Sequence, residues 1–276
     1  MEVGLLMLAG GVAAGAFGSI LGLGGGVLLV PLLTLGFGLP LREAVGVSLV
    51  CVIVTSSASA GVYLERRQAN LRLGMVLELF TAAGAIVGGA IAFLIDERLL
   101  AGLFAVLLVY VAATMAGGLR RRPGAQPAAD VEAPPSAGEP SVEPAEGDDG
   151  GYRADRLPVA VAGSVGAGVA SALLGIGGGL IKVPLMHLVL GVPLRIATAT
   201  SNLMIGITAS ASAIVYLVRG GIDGYVVGPT AVGVFVGATL GSRLGHRVGQ
   251  RALRLLFVVV LLYTAVEMAR RALGAG

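Results

Sequence analysis

Gly22-Leu23-Gly24-Gly25-Gly26 and Gly175-Ile176-Gly177-Gly178-Gly179 are one short pattern met twice, each time inside an apolar run too long for a soluble core. The second copy lies 153 residues after the first, from Gly22 to Gly175. The same offset carries Pro31 onto Pro184, Pro40 onto Pro193, Arg42 onto Arg195, Ser48 onto Ser201 and Tyr63 onto Tyr216. It continues without a gap through Gly88 and Gly241 to Met115 and Met268. The chain is therefore two copies of one unit, each broken by glycine near its start. Paired, glycine-interrupted hydrophobic segments are the pattern of a secondary transporter whose substrate sits at the breaks.

Composition agrees with a membrane location. Of the 276 residues, 56% are hydrophobic and 13% charged, and the mean hydropathy is +0.91. Stretches such as 101–119 and 253–269 are nearly free of charge, as expected of a polytopic membrane protein. Many of the 45 glycines, including Gly84, Gly88, Gly237 and Gly241, fit close helix–helix approach in lipid. The pI of 9.3 does not imply nucleic acid, because the basic residues are nearly all arginines at segment ends, where they set orientation. Cys51 is the single cysteine, which excludes an intramolecular disulfide and gives no support to a cysteine metal site. No removable signal peptide is read at the start, since Glu2 leads straight into the first apolar run.

Each half holds five apolar segments: 4–21, 27–38, 43–64, 73–95 and 99–118, then 157–174, 180–191, 196–218, 225–244 and 252–269. The expected organisation is a first membrane repeat over 1–118, a linker over 119–156 and a second repeat over 157–276. The linker is rich in proline and acidic residues and poor in large apolar ones, so disorder is expected there. An odd number of segments inverts the second repeat. Counting five per half places 13 arginines, among them Arg66, Arg67, Arg120, Arg121 and Arg122, on one side and 5 on the other. That bias puts the linker in the cytoplasm and both termini outside. The expected fold is an all-α integral membrane protein with two inverted repeats and glycine-broken short helices at the midplane. The second and seventh segments, about 12 residues or 18 Å long, are too short to span a core of about 30 Å. Their glycine stretches must lie within the membrane, crossing fully as extended pieces or turning back as re-entrant hairpins.

Gly24, Gly25 and Gly26, with Gly177, Gly178 and Gly179, expose backbone N–H groups ahead of short helices, a setting that favours an anion. A tight turn between packed helices is the plainer alternative. Lys182, the only lysine, lies three residues past Gly179 and is matched by Leu29. It either binds the anion, neutralises a buried carboxylate or reaches to an interface. Ser48, Ser201 and Asn202 are the hydroxyls and amide expected to contact substrate; Thr55, Ser59, Thr208 and Ser212 are expected to serve helix packing. Glu78, His187 and Glu267 could each carry a coupling proton, but sit close enough to segment ends that an interfacial position is the preferred reading.

The duplicated GxGGG-x4-P, followed by P-x-R-x-A and a serine, resembles the sulfite exporter TauE/SafE family, also called the 4-toluene sulfonate uptake permease family. The matching residues run from Gly22 to Pro31, then Pro40, Arg42, Ala44 and Ser48; the second set runs from Gly175 to Pro184, then Pro193, Arg195, Ala197, Ser201 and Asn202. The resemblance implies movement of sulfite, organosulfonates or related small sulfur anions across the cytoplasmic membrane, coupled to protons or driven by the membrane potential.

The expectation is a transporter, not an enzyme. Alternating access would come from rocking one repeat against the other, and an anion channel of the same fold is the alternative. The partners are a small anionic substrate, the lipid bilayer and a coupling proton, with a homo-oligomer left open; no cofactor, metal or nucleic acid is expected. An enzyme would need a nucleophile–base pair or ligand cluster that Cys51, His187 and His246 do not supply.

Overall fold

The computed structural model describes residues 2–20, 26–65, 71–120, 156–244 and 250–274. All regular structure among them is helical. The first half contributes α1 (Glu2–Ile20), α2 (Gly26–Pro31), α3 (Leu41–Glu65), α4 (Leu71–Ala92) and α5 (Glu97–Arg120). The second contributes α6 (Leu157–Leu174), α7 (Gly179–Pro184), α8 (Leu194–Val218), α9 (Gly224–Leu244) and α10 (Gln250–Ala272). Hydrocarbon offers the backbone no hydrogen-bond partner, so long apolar segments close their own bonds as helices. Six of these helices have the length and hydropathy to span a membrane: α1, α4, α5, α6, α8 and α9. Their outer faces carry large apolar side chains such as Leu79 and Val106, each 70% exposed, which only lipid covers without cost. The chain is an all-α, multi-pass integral membrane protein.

The 153-residue offset found in the sequence reappears in the helices. It carries Gly26–Pro31 onto Gly179–Pro184 and Leu41–Glu65 onto Leu194–Val218. The short segments differ from the 12-residue helices expected. Each is six α-helical residues ending in proline, then a five-residue π turn at Leu32–Gly36 or Leu185–Val189. Proline has no N–H to close the α ladder, and the turn widens after it. The Thr34 hydroxyl donates to the Val30 carbonyl at 2.7 Å. Both turns end alike, with Leu39 N–H on the Leu33 carbonyl and Val192 N–H on the Met186 carbonyl, each at 3.1 Å. Helix α5 runs to Arg120, two residues into the stretch expected as linker; residues 121–155, with the rest of that expectation, lie outside the described residues.

The two halves are interlocked. Helix α1 packs along α9, and its counterpart α6 packs along α4. Glycine makes both seams possible. A Cβ on Gly237 would strike the Val12 carbonyl and one on Gly241 the Ala16 carbonyl. At the same offset, a Cβ on Gly84 would strike the Val165 carbonyl and one on Gly88 the Val169 carbonyl. Small residues four apart let the backbones touch. Helices α3 and α8 cross at the centre with their directions opposed. Gly46 lies against Gly221, and further along α3 the Ser56 hydroxyl donates to the Asn202 carbonyl at 2.8 Å.

Gly237→Leu is expected to destabilise the protein by about 3 kcal/mol or more, because backbone on α1 cannot yield. Gly228→Leu, on the same helix but with open space around it, is expected to change stability by less than about 1 kcal/mol. Thermal unfolding in detergent, followed by size-exclusion recovery, checks both.

Candidate substrate site

The site forms where α3 and α8 cross, because the second glycine break and Gly26, the last residue of the first, arrive there. Gly175 caps α6 at φ +69°, and Gly177 and Gly178 follow at +78° and +77°. Three left-handed residues within four positions explain the glycines, since any Cβ there is strained. Leu23, Gly24 and Gly25 of the first break, including two of the expected site residues, lie outside the described residues. Gly26 is described and buried, and a Cβ on it would sit 2.8 Å from the Gly175 carbonyl. The Ser48 hydroxyl donates to that carbonyl at 2.8 Å and lies 3.3 Å from the Gly26 carbonyl. Ser48 thus ties the two breaks together, and its single proton is committed to backbone.

Its counterpart Ser201 differs. The Ser201 hydroxyl is buried beside Gly179 and, among the described residues, has no hydrogen-bond partner. The Ser171 hydroxyl on α6, buried beside Gly178, is in the same condition. Two orphaned hydroxyls thus flank Gly178–Gly179. A buried polar group without a partner costs free energy, so such a pair asks for a ligand. Ser171 was not among the expected residues. Its signal was the break in the repeat: the equivalent position is Gly18. Asn202 is half-buried, and its backbone carbonyl receives Ser56.

Lys182 closes a buried polar triangle. Its Nζ donates to Glu78 Oε2 and to Thr208 Oγ1, each at 2.6 Å. Thr208 Oγ1 in turn lies 2.6 Å from Glu78 Oε1 and donates to it. All three side chains are buried, Lys182 to 1% and Glu78 to 4% exposure. This corrects two expectations. Glu78 is not an exposed group at a segment end but is buried among α4, α7 and α8, and Thr208 serves the ion pair rather than packing alone. The sequence did carry a signal: Glu78 and Lys182 are opposite charges in different halves, each facing an uncharged residue at its repeat position, Ala231 and Leu29. Ser201 and Thr208, seven residues apart, share the α8 face that runs from the glycine tip to this triangle. Of the other ionisable groups weighed, His187 donates from Nδ1 to the Val192 carbonyl at 2.8 Å. Glu267 is partly exposed and pairs with Arg270 at 3.5 Å. Both hold the periphery.

Long apolar helices interlocked around a glycine break, with buried hydroxyls and a buried ion pair beside it, fit a polytopic protein of the membrane-transporter class. The family model described as Sulfite exporter TauE/SafE matches residues 7–268, and the chain belongs to that family. It is similar to Probable membrane transporter protein YunE of Bacillus subtilis (strain 168), 25% identical over 222 residues that cover 77% of this chain and 78% of that one. It is also similar to Probable membrane transporter protein MJ0441 of Methanocaldococcus jannaschii, 26% identical over 227 residues, covering 80% and 74%. No solved structure matches the chain. The protein is a multi-pass membrane transporter.

Glu78→Ala leaves Lys182 buried and unpaired and is expected to destabilise the fold by about 3–5 kcal/mol. The double change Glu78→Ala with Lys182→Leu, which copies Ala231 and Leu29 of the other half, is expected to recover most of that loss. A double-mutant cycle of melting temperatures in detergent measures it.

Proposed function

We propose that this transporter carries a small sulfur-containing anion, sulfite or an organosulfonate, across the cytoplasmic membrane by alternating access. The observation that carries the reading is the pair of buried hydroxyls of Ser171 and Ser201, without partners among the described residues, on either side of Gly178–Gly179. An oxyanion lying there would accept a hydrogen bond from each and from the amides of the glycine tip, which precede the first closed turn of α7. Backbone approaches such a ligand closely only where no Cβ intervenes, which suits Gly177, Gly178 and Gly179. Gly24, Gly25 and Gly26 would form the matching half of the cage. Family membership supports the sulfur chemistry.

In the topology we propose, the repeats of residues 1–118 and 157–276 are inverted. The reversed crossing of α3 and α8 supports this, since equivalent helices then run in opposite directions. The arginine bias in the sequence supports a cytoplasmic linker with both termini outside. The interlocked seams change the motion first expected. Rocking sequence half against sequence half would open both glycine zippers. The moving bodies are instead the pairs α1–α9 and α4–α6, each drawn from both halves, turning about the α3–α8 crossing.

The test is radiolabelled sulfite uptake into proteoliposomes, competed with taurine, sulfoacetate, sulfate and thiosulfate. Saturable uptake with trans-stimulated exchange is expected; flux without exchange would indicate a channel. Ser171→Ala and Ser201→Ala are each expected to raise the KM about tenfold or more, yet not to lower stability, because the hydroxyls bond nothing among the described residues. Gly178→Leu is expected to abolish uptake by folded protein.

A further inference from the structure

The Glu78–Lys182–Thr208 triangle is not explained by stability. Replacing a buried ion pair with apolar groups of similar size is commonly neutral or stabilising. This protein carries uncharged residues at the repeat-related positions Ala231, Leu29 and Thr55, with Leu29 fully buried and the Thr55 hydroxyl on the Val52 carbonyl at 3.0 Å. One half of a symmetric architecture therefore keeps a costly pair that the other half omits.

We propose that this triangle is the coupling site of the transporter. Glu78 takes up one proton whenever Lys182 leaves it to face an anion at the Gly177–Gly179 tip, so that one proton and one monovalent anion move together. The proposal rests on the reading of that tip as the anion site.

Charge conservation in a low-dielectric interior carries the argument. In the empty protein the carboxylate and the ammonium sum to zero. An anion arriving alone would leave a net negative charge, and moving Lys182 towards it would strand Glu78 as a buried, unpaired carboxylate. A proton on Glu78 removes both penalties: the neutral acid stays behind, and the ammonium pairs with the anion. The sum is zero again. A divalent anion would leave one negative charge uncompensated, so the site selects hydrogen sulfite or a sulfonate over sulfate and thiosulfate.

The geometry provides for each step. Lys182 lies one helical turn beyond Gly178, whose carbonyl accepts the Lys182 N–H at 3.1 Å. Its flexible four-carbon stem allows the ammonium to swing along the α8 face from Thr208 towards Ser201. Thr208 accommodates the change in Glu78. Its hydroxyl donates to the carboxylate now, and lies 3.2 Å from the Met204 carbonyl as well. Turned onto that carbonyl, it presents a lone pair to accept the O–H of a protonated Glu78. Competing titratable groups are few among the described residues. Helix α6 brings none between Pro158 and Leu174. From Ile196 onward helix α8 brings only Tyr216, whose hydroxyl donates to the Ala172 carbonyl at 3.0 Å; Arg195 stands at the start of α8, 13 residues before Thr208. On α4 itself the other charge is Arg72, six residues before Glu78 and exposed. Beyond α7 stands His187, held on Val192.

The experiment measures labelled sulfite uptake and sulfite–sulfite exchange in proteoliposomes, with the membrane potential clamped and a pH gradient imposed. The wild-type protein should accumulate sulfite along the proton gradient. Glu78→Gln should lose that accumulation by about tenfold or more while exchange stays within about tenfold of wild type. Should Glu78→Gln fail to fold, Glu78→Ala with Lys182→Leu gives the same readout: weak exchange that ignores the pH gradient. Accumulation by either variant that still follows the gradient overturns the proposal, as does a parallel loss of exchange and accumulation in folded Glu78→Gln. If the wild-type protein neither exchanges nor accumulates sulfite, the anion reading of the tip fails first and takes the coupling proposal with it.

Discussion

Hydrocarbon supplies no hydrogen bonds, and that one constraint shapes the rest of this molecule. A backbone that leaves the helical ladder inside a membrane must be wrapped by protein. Here the break at Gly175–Gly178 is wrapped by α3 and α8, and Ser48 of the first half caps the Gly175 carbonyl of the second. The interlocked helices follow from the same need. The second half alone would leave this break without the cover of α3. Glycine seams between α1 and α9, and between α4 and α6, close the halves around one another without large side chains in the way.

The same constraint turns unsatisfied groups into information. A surface serine without a partner means little, since water serves it. Ser171 and Ser201 are buried with none among the described residues, while neighbouring hydroxyls of Ser164, Thr81, Thr230 and Ser212 all bond the carbonyl four residues back. The ordinary solution for a hydroxyl in an apolar helix was open to the two orphans and is not taken. Both flank the glycines whose positive φ angles keep that backbone bare.

Much of this was legible in the sequence. The duplication, the helical class and the short broken segments follow from a gap-free offset and from segment length, both of which are local properties. The glycine seams were legible too, because small residues four apart have few other uses in lipid. What was not legible depends on which helices face one another. Glu78 stands eighth in α4 and could as well have reached an interface; only packing of α4 against α8 brings it to Lys182. Thr208 read as packing because its spacing from Ser201 fixes a face but not what the face meets. The π turns were missed because a proline forbids one bond without saying how the chain relaxes. Ser48 and Ser201 look equivalent in sequence, yet one bonds the opposite break and the other bonds nothing among the described residues.

The central claim is that the bare backbone between Gly175 and Ile181, with Ser171 and Ser201, receives an anion. Amide hydrogen exchange on the purified full-length protein, with and without saturating sulfite, tests it most directly. The account predicts slowed exchange confined to residues 175–181 and the adjoining faces of α6 and α8. Sulfite that is transported but leaves exchange across 175–181 unchanged would contradict it.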